Sequence, residues 1–179
     1  MKDWNVVISV YQDGFRLALR GLRRLGPIER SPYHNVLVMK VDNPIALLAA
    51  IEKSTQENTA LYDALSRVAP GMRCFYFHSA EEFVATVKSI LSEWLPDLAG
   101  RSFHVRLHQR GTKHDLRTQD AERSFDDAIM EATLKAGMAS KISLTNPDAV
   151  VAIDTIDGRA GLALWTRGDL TRYHLLRPD

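Results

Sequence analysis

The sequence has little that could crosslink it, insert it into a bilayer or supply a familiar nucleophile. It contains one cysteine, Cys74, which excludes an intramolecular disulfide and a four-cysteine zinc site. Set between Arg73 and Phe75-Tyr76-Phe77, that thiol reads as a small core residue. No run approaches the ~18 apolar residues that span a membrane. Met1-Lys2-Asp3-Trp4 leads into a strand pattern, not into a charged region followed by an apolar one. No signal peptide is therefore expected, and a reducing cytoplasm is the expected location. Neither sign of charge dominates: 23 Lys and Arg face 22 Asp and Glu, for a net +1. This excludes a strongly basic protein but not a local basic patch. Gly-x-Ser-x-Gly, His-Glu-x-x-His, Walker A and Gly-x-Gly-x-x-Gly strings are all missing.

What is present suits a soluble, packed chain. Apolar residues make up 45% and charged residues 25% of 179, ordinary values for a globular protein. A chain of this size buries roughly 70% of its unfolded surface and makes one domain or two small ones. Trp4 to Tyr11 is β-branched and aromatic, a buried strand. Asp13 can cap a helix over Phe15 to Leu25, with Phe15, Leu19 and Leu22 on one stripe and Arg16, Arg20, Arg23 and Arg24 mostly off it. Gly26-Pro27 ends it. Ile28 to Ser31 and Asn35 to Val41 are strand candidates. Asn43-Pro44 opens a further helix, and Thr59 to Val68 reads as a second helical piece. Met72 to Phe77 is the next strand. The first ~78 residues thus read β-α-β-β-α-β, a ferredoxin-like pattern.

In the second half, Ser79-x-x-Glu82 is a capping box ahead of Phe83, Val87, Ile90, Leu91 and Leu95 at helical spacing, and Gly100 ends that helix. Arg101 to Gly111 then alternates with period two: Phe103, Val105 and Leu107 face the core, and His104, Arg106, His108 and Arg110 face outward. A loop to Arg117, a helix over Gln119 to Ala136, a short strand at Ile142 to Leu144 and a strand over Ala149 to Ile156 follow. Asp157-Gly158 signals a hairpin into Ala160 to Thr166.

The outward residues are the main chemical feature. From Arg101 to Arg117 there are five basic residues (Arg101, Arg106, Arg110, Lys113 and Arg117), and the sole carboxylate is Asp115. Arginines on one strand face stand ~6.6 Å apart per two residues, a spacing that can track a phosphate backbone. The following helix start is a further anion site. A solvated strand face accounts for the composition equally well. His104 and His108, at i and i+4, lie ~13 Å apart on a strand, too far to share one metal ion. Neighbouring Asp126 and Asp127 diverge by ~100° on a helix and read as a solvated face. The Arg16, Arg20, Arg23, Arg24 group reads as an exposed helix flank or an auxiliary phosphate contact.

The second half resembles a THUMP domain, the RNA-binding module of several tRNA-modifying enzymes. The residues that carry the resemblance are Phe103-x-Val105-x4-Arg110, Lys113, the helix, Ile142-x-Leu144-x-Asn146-Pro147-Asp148, the alternating strand, and the hairpin with Gly161-Leu162-Ala163-Leu164. The resemblance implies an α+β chain: an N-terminal ferredoxin-like domain over 1–78 and an α/β THUMP domain over 79–179. It implies tRNA as the partner, gripped near the acceptor 3′ end, with Arg106, His108, Arg110, Lys113 and Arg117 on the RNA surface. Where the family commonly has a basic pair at the strand end, Gln109 precedes Arg110 here. Family members gain chemistry from a fused methyltransferase, thiouridine synthetase or pseudouridine synthase domain. This chain resembles the stand-alone adaptor type, which presents tRNA to an acetyltransferase in trans. No catalytic residue, metal, cofactor or membrane contact is expected. Two other readings stay open: a ferredoxin-like protein-interaction or regulatory module without RNA binding, and a small hydrolase using the histidines.

Overall fold

The apolar run after Trp4 forms strand β1 (Val6–Val10), whose Val6, Val7 and Ile8 are fully buried. Two-sided burial suits an interior strand. β1 pairs antiparallel with both β3 (Val36–Met39) and β4 (Leu65–Pro70), and β2 (Ile28–Arg30) lies outside β3, for the order β2-β3-β1-β4. The computed structural model describes residues 1–111 and 116–177. It divides into two compact units, Met1–Met72 with Leu170–Arg177, and Arg73–Asp169.

In the first unit, α1 (Phe15–Leu22) buries Ala18 and Leu22. Asp13 does not cap it. Gln12–Gly14 make a 3₁₀ turn that leads in, and Gly14 takes the cap position without a side-chain bond. The exit runs through a second 3₁₀ turn, Arg23–Leu25, to Gly26 at φ 153°, backbone that a Cβ would strain. α2 (Pro44–Glu57) starts as the Asn-Pro signal predicts: Asn43 Oδ1 accepts from the N–H groups of Ile45 (3.0 Å) and Ala46 (2.9 Å).

The helix expected over 59–68 stops early. α3 is Thr59–Ala64, and Leu65–Pro70 is β4. Leu61, Leu65 and Val68 fit helical spacing, but the second half of that stretch finds a partner in β1, with Val7 opposite Ala69 and Ile8 opposite Val68. Pairing and burial beside an interior strand override the local periodicity.

The remaining boundaries shift with it. Met72 to Phe77, expected to close the first sheet, supplies β5 (Arg73–Tyr76) of the second sheet, paired with β9. The units therefore divide at Met72/Arg73 and not at 78/79. The tail, expected in the second domain, returns to the first unit. There the Val68 N–H donates to the Leu175 carbonyl (2.7 Å), and Leu175 and Leu176 are buried.

The second unit carries α4 (Ala80–Leu98), β6 (Ser102–Arg110), α5 (Thr118–Lys135), β7 (Lys141–Ile142), β8 (Ala149–Ile156) and β9 (Arg159–Thr166), followed by α6 (Arg167–Arg172). Its strand order is β5-β9-β8-β6-β7. β6 runs parallel to β7 and β8, and β8 and β9 form the antiparallel hairpin expected at Asp157-Gly158, with Asp157 at φ 52°. One sheet face presents Phe103, Val105, Leu107, Val151, Ile153 and Leu162 to Phe83, Val87 and Leu91 of α4 and Phe125 and Ile129 of α5. Rings of Phe77, Phe83 and Phe125 chain through this core, with centroids 4.9 and 6.0 Å apart. Cys74, read as a core thiol, is half-buried on β5. Both halves are mixed helix and sheet, so the chain is α+β with two sheets.

Candidate nucleic-acid interface

β6 alternates as its sequence predicts. Phe103, Val105 and Leu107 lie in the core. His104, Arg106, His108 and Arg110 project from the opposite face, because successive side chains on a strand take opposite sides. That face is not the fully solvated row expected. His104 is 2% exposed, and its Nδ1 donates to the Ser143 carbonyl (3.0 Å). Arg106, His108 and Arg110 are half-buried. β8 runs along the length of β6, and the 141–143 segment lies along its first residues, where it covers His104.

Arg110 is engaged by a neighbour. Its Nη1 lies 3.0 Å from Asp154 Oδ1, with side chains 17% and 5% exposed. Asp154 stands opposite His108 in the parallel register with β8. The ion pair holds the guanidinium against the sheet at the end of β6. There the Arg110 carbonyl also accepts from the Asp157 N–H of the hairpin (2.8 Å). Arg159, buried in β9, lies over the exposed Tyr76 ring at 4.4 Å, a cation–π contact. Neither Asp154 nor the Arg159–Tyr76 pair carries a local sequence signal. Both arise from registers between strands far apart in sequence.

Gln109, which stands where a basic residue would be common, holds the two ends of the loop. Its Nε2 donates to the Gly111 carbonyl (3.1 Å), and its Oε1 accepts from Thr118 Oγ1 (3.2 Å). Arg117, the residue before α5, is exposed. Lys113 lies outside the described residues. The structure thus sets Arg106, His108 and Arg110 on one face of β6 and leaves Arg117 exposed at the start of α5.

Of the Asp126-Asp127 pair read as a solvated face, Asp127 is exposed but Asp126 is half-buried and engaged, as is Glu122. Glu122 Oε1 accepts from the Leu107 N–H (2.7 Å), and Asp126 Oδ1 from the Val105 N–H (3.3 Å). One turn apart on α5, they satisfy the β6 edge beyond the short β7. Burial pushes the Asp126 carboxyl up to about 6, opposed by its bond from Val105; Glu122 beside it adds to the rise and His104 lowers it. At the other end of β6, the Asn-Pro-Asp turn is locked. Asp148 Oδ2 accepts from Ser102 N (2.8 Å) and Oγ (2.7 Å), bonds that hold its carboxyl below the usual range. Arg167 pairs with Asp148 (2.8 Å) and donates to the carbonyls of Asn146 and Pro147. Among the described residues, no three His, Cys, Asp or Glu side chains converge as metal ligands would, and no helix is long and apolar enough to cross a membrane.

Comparison with known proteins places this unit. Residues 77–164 match the THUMP domain family. The tRNA sulfurtransferase of Shigella sonnei is 30% identical over 112 residues, 60% of this chain and 22% of that protein. TrmN from Thermus thermophilus shares the fold at TM-score 0.60 and 17% identity, over 89% of this chain and 44% of that one. A 4-thiouridine synthetase, solved as an RNA complex with bound ATP, does so at TM-score 0.55 and 14% identity, over 92% and 42%. The chain spans about a fifth of the length of the curated relatives it matches. The Phe103-x-Val105 strand, the helix after it, the Asn146-Pro147-Asp148 turn and the β8–β9 hairpin up to Leu164 fall inside the matched span, and the chain carries a THUMP domain over residues 77–164.

Proposed function

We propose that this chain binds tRNA through its THUMP domain and presents it, without catalysis of its own, to a tRNA-modifying enzyme acting in trans. The observation that carries the reading is the THUMP match over 77–164. The basic, half-buried end of β6 and the exposed Arg117 supply the chemistry that a phosphate backbone needs. A sulfurtransferase relative that acts on tRNA and a fold neighbour solved with RNA support the substrate class. In this reading Arg106, His108, Lys113 and Arg117 face phosphates. Arg110 contributes through its pair with Asp154, presenting the remainder of its guanidinium at a set angle.

A salt series of tRNA binding by fluorescence anisotropy tests it. For Z phosphate contacts the log–log slope is roughly −0.7Z on single strands, so the combined Arg106→Ala, Lys113→Ala, Arg117→Ala variant is expected to lower it by about 2. All tRNAs should weaken alike, because phosphate contacts carry no sequence information. Unchanged binding by a folded triple variant would leave these residues as a solvated face, and the protein-interaction reading would replace this one.

A further inference from the structure

The second unit carries an apolar surface patch where α5 ends and β6 begins. Among the described residues ten large apolar side chains are exposed, and five of them, Met130, Leu134, Met138, Ile142 and Leu144, fall between residues 130 and 144. The fold gathers them. α5 runs back along β6, since Glu122 meets the Leu107 N–H and Asp126 the Val105 N–H. One further turn brings Met130 to the level of Phe103, whose neighbour on β7 is Ile142. Leu134 follows Met130 by one more turn. Met138 lies just past the helix, where its carbonyl accepts from the Gly100 N–H (2.9 Å) ahead of β6. Leu144 comes two residues after Ile142. Exposed apolar side chains scattered singly are ordinary. Five gathered in one place make a patch on the order of several hundred Å², the size that marks an interaction site.

An added strand does not suit this patch. β7 is the last strand of its sheet but only two residues long, and Glu122 and Asp126 already take the β6 edge beyond it. An incoming strand would find few backbone groups to pair with. Packing against a helix suits it better, and the charges point to the occupant. The exposed charged residues of this part of α5 run from acidic to basic: Asp127 and Glu131 precede Leu134, and Lys135 follows it. We infer that this face packs on the same face of a second copy of the chain, in an isologous dimer with the two α5 helices antiparallel about a two-fold axis at Leu134. A two-fold interface must complement itself, and this one does. Met130 and Met138 stand four residues to either side of Leu134, so each meets the other across the axis. The acidic stretch of one helix lies along the basic end of the other, whereas a parallel arrangement would set acid on acid. Glu131, which bonds Lys135 of its own chain at 2.6 Å, then lies beside the partner's Lys135 as well. The patch lies at the opposite end of β6 and α5 from Arg110 and Arg117, so pairing leaves those residues uncovered whether or not they bind tRNA.

Sedimentation velocity of the full chain across a concentration series tests this. The variants are Leu134→Asp/Met138→Asp, Glu131→Lys, Lys135→Glu and the double swap Glu131→Lys/Lys135→Glu. Every substituted position is exposed, so the fold should hold, and thermal melts check that it does. The parent is expected to pass from monomer to dimer as concentration rises. Leu134→Asp/Met138→Asp is expected to stay monomeric throughout. Each single swap sets like charges together across the axis and is expected to weaken dimerisation roughly tenfold. The double swap restores opposite charges and is expected to return the dissociation constant to within about twofold of the parent's, the coupling that a mutant cycle reads. A parent that stays monomeric at every concentration would overturn the inference, as would a dimer that survives Leu134→Asp/Met138→Asp. So would single swaps that change nothing, a double swap as weak as the single ones, or assembly beyond the dimer, which a two-fold face does not build.

Discussion

Asp126 shows how one buried carboxylate alters the pH dependence of the chain. Its carboxyl titrates at about 6 in the folded protein, chiefly because burial disfavours its charge, against roughly 4 in an unfolded chain. Between those values the folded state holds the proton and the unfolded state has lost it. Stability from this group is therefore full below about pH 4 and falls as pH rises through about 6. Asp126→Asn keeps an oxygen to accept from Val105 N–H and removes the charge. It is expected to raise stability at pH 7.5 by about 1 kcal/mol, discounted because the group is partly solvated, and to do little at pH 4. Urea midpoints at the two pH values check this. Gln109 teaches a related lesson: its amide serves the loop ends, a role no reading of charge alone would assign.

At the scale of elements, β6 shows which parts of a period-two pattern carry over to the structure. Alternation sends Phe103 into the core, where it is fully buried beside Phe125. Phe103→Asp is expected to unfold the second unit, through lost apolar burial of ~1.5–3 kcal/mol and a buried, unpaired charge costing more. Were the opposite face open to solvent, His104→Asp would be harmless. Because His104 is buried against Ser143, His104→Asp is also expected to destabilise, by several kcal/mol. Thermal melts of both variants decide the point: a parent-like melt for His104→Asp would mean that face is open. The caps read more directly. Ser79 Oγ accepts from Glu82 N–H (3.1 Å) as the box predicts. Glu82 reaches back to His78 N–H (2.7 Å), one residue before the expected position.

At the scale of the molecule, the chain leaves the first unit at Met72 and returns to it after Asp169. The first unit is therefore incomplete without the last residues. Leu175 and Leu176 are buried, and Arg177 donates to Tyr11 Oη and the Ser66 carbonyl, each at 3.2 Å. Truncation after Asp169 removes the burial of two leucines, each worth ~1.5–3 kcal/mol, and the bond to Val68. Hydrogen exchange is expected to show lost protection along β4, with β6, β8 and β9 unchanged. Protection of β4 at the parent level would mean that the tail only rests on the unit.

The sequence by itself determined what local chemistry and period can encode. The Asn43 cap, the glycine ends, the Phe103-Val105-Leu107 face, the Asp157-Gly158 hairpin and the Asn-Pro-Asp turn need only neighbouring residues, and the THUMP domain was legible from them. Tertiary structure alone decided the fate of 65–70, because a short apolar stretch suits helix or strand until β1 offers a partner. It also decided which sheet takes residues 73–76 and where the tail docks. Within the interface, it decided that Arg110 meets Asp154, that His104 is buried and that Glu122 and Asp126 seal the β6 edge. Each depends on strand order or helix placement, and the residues brought together lie 15 to 44 positions apart. No pattern along the chain reports contacts at that separation.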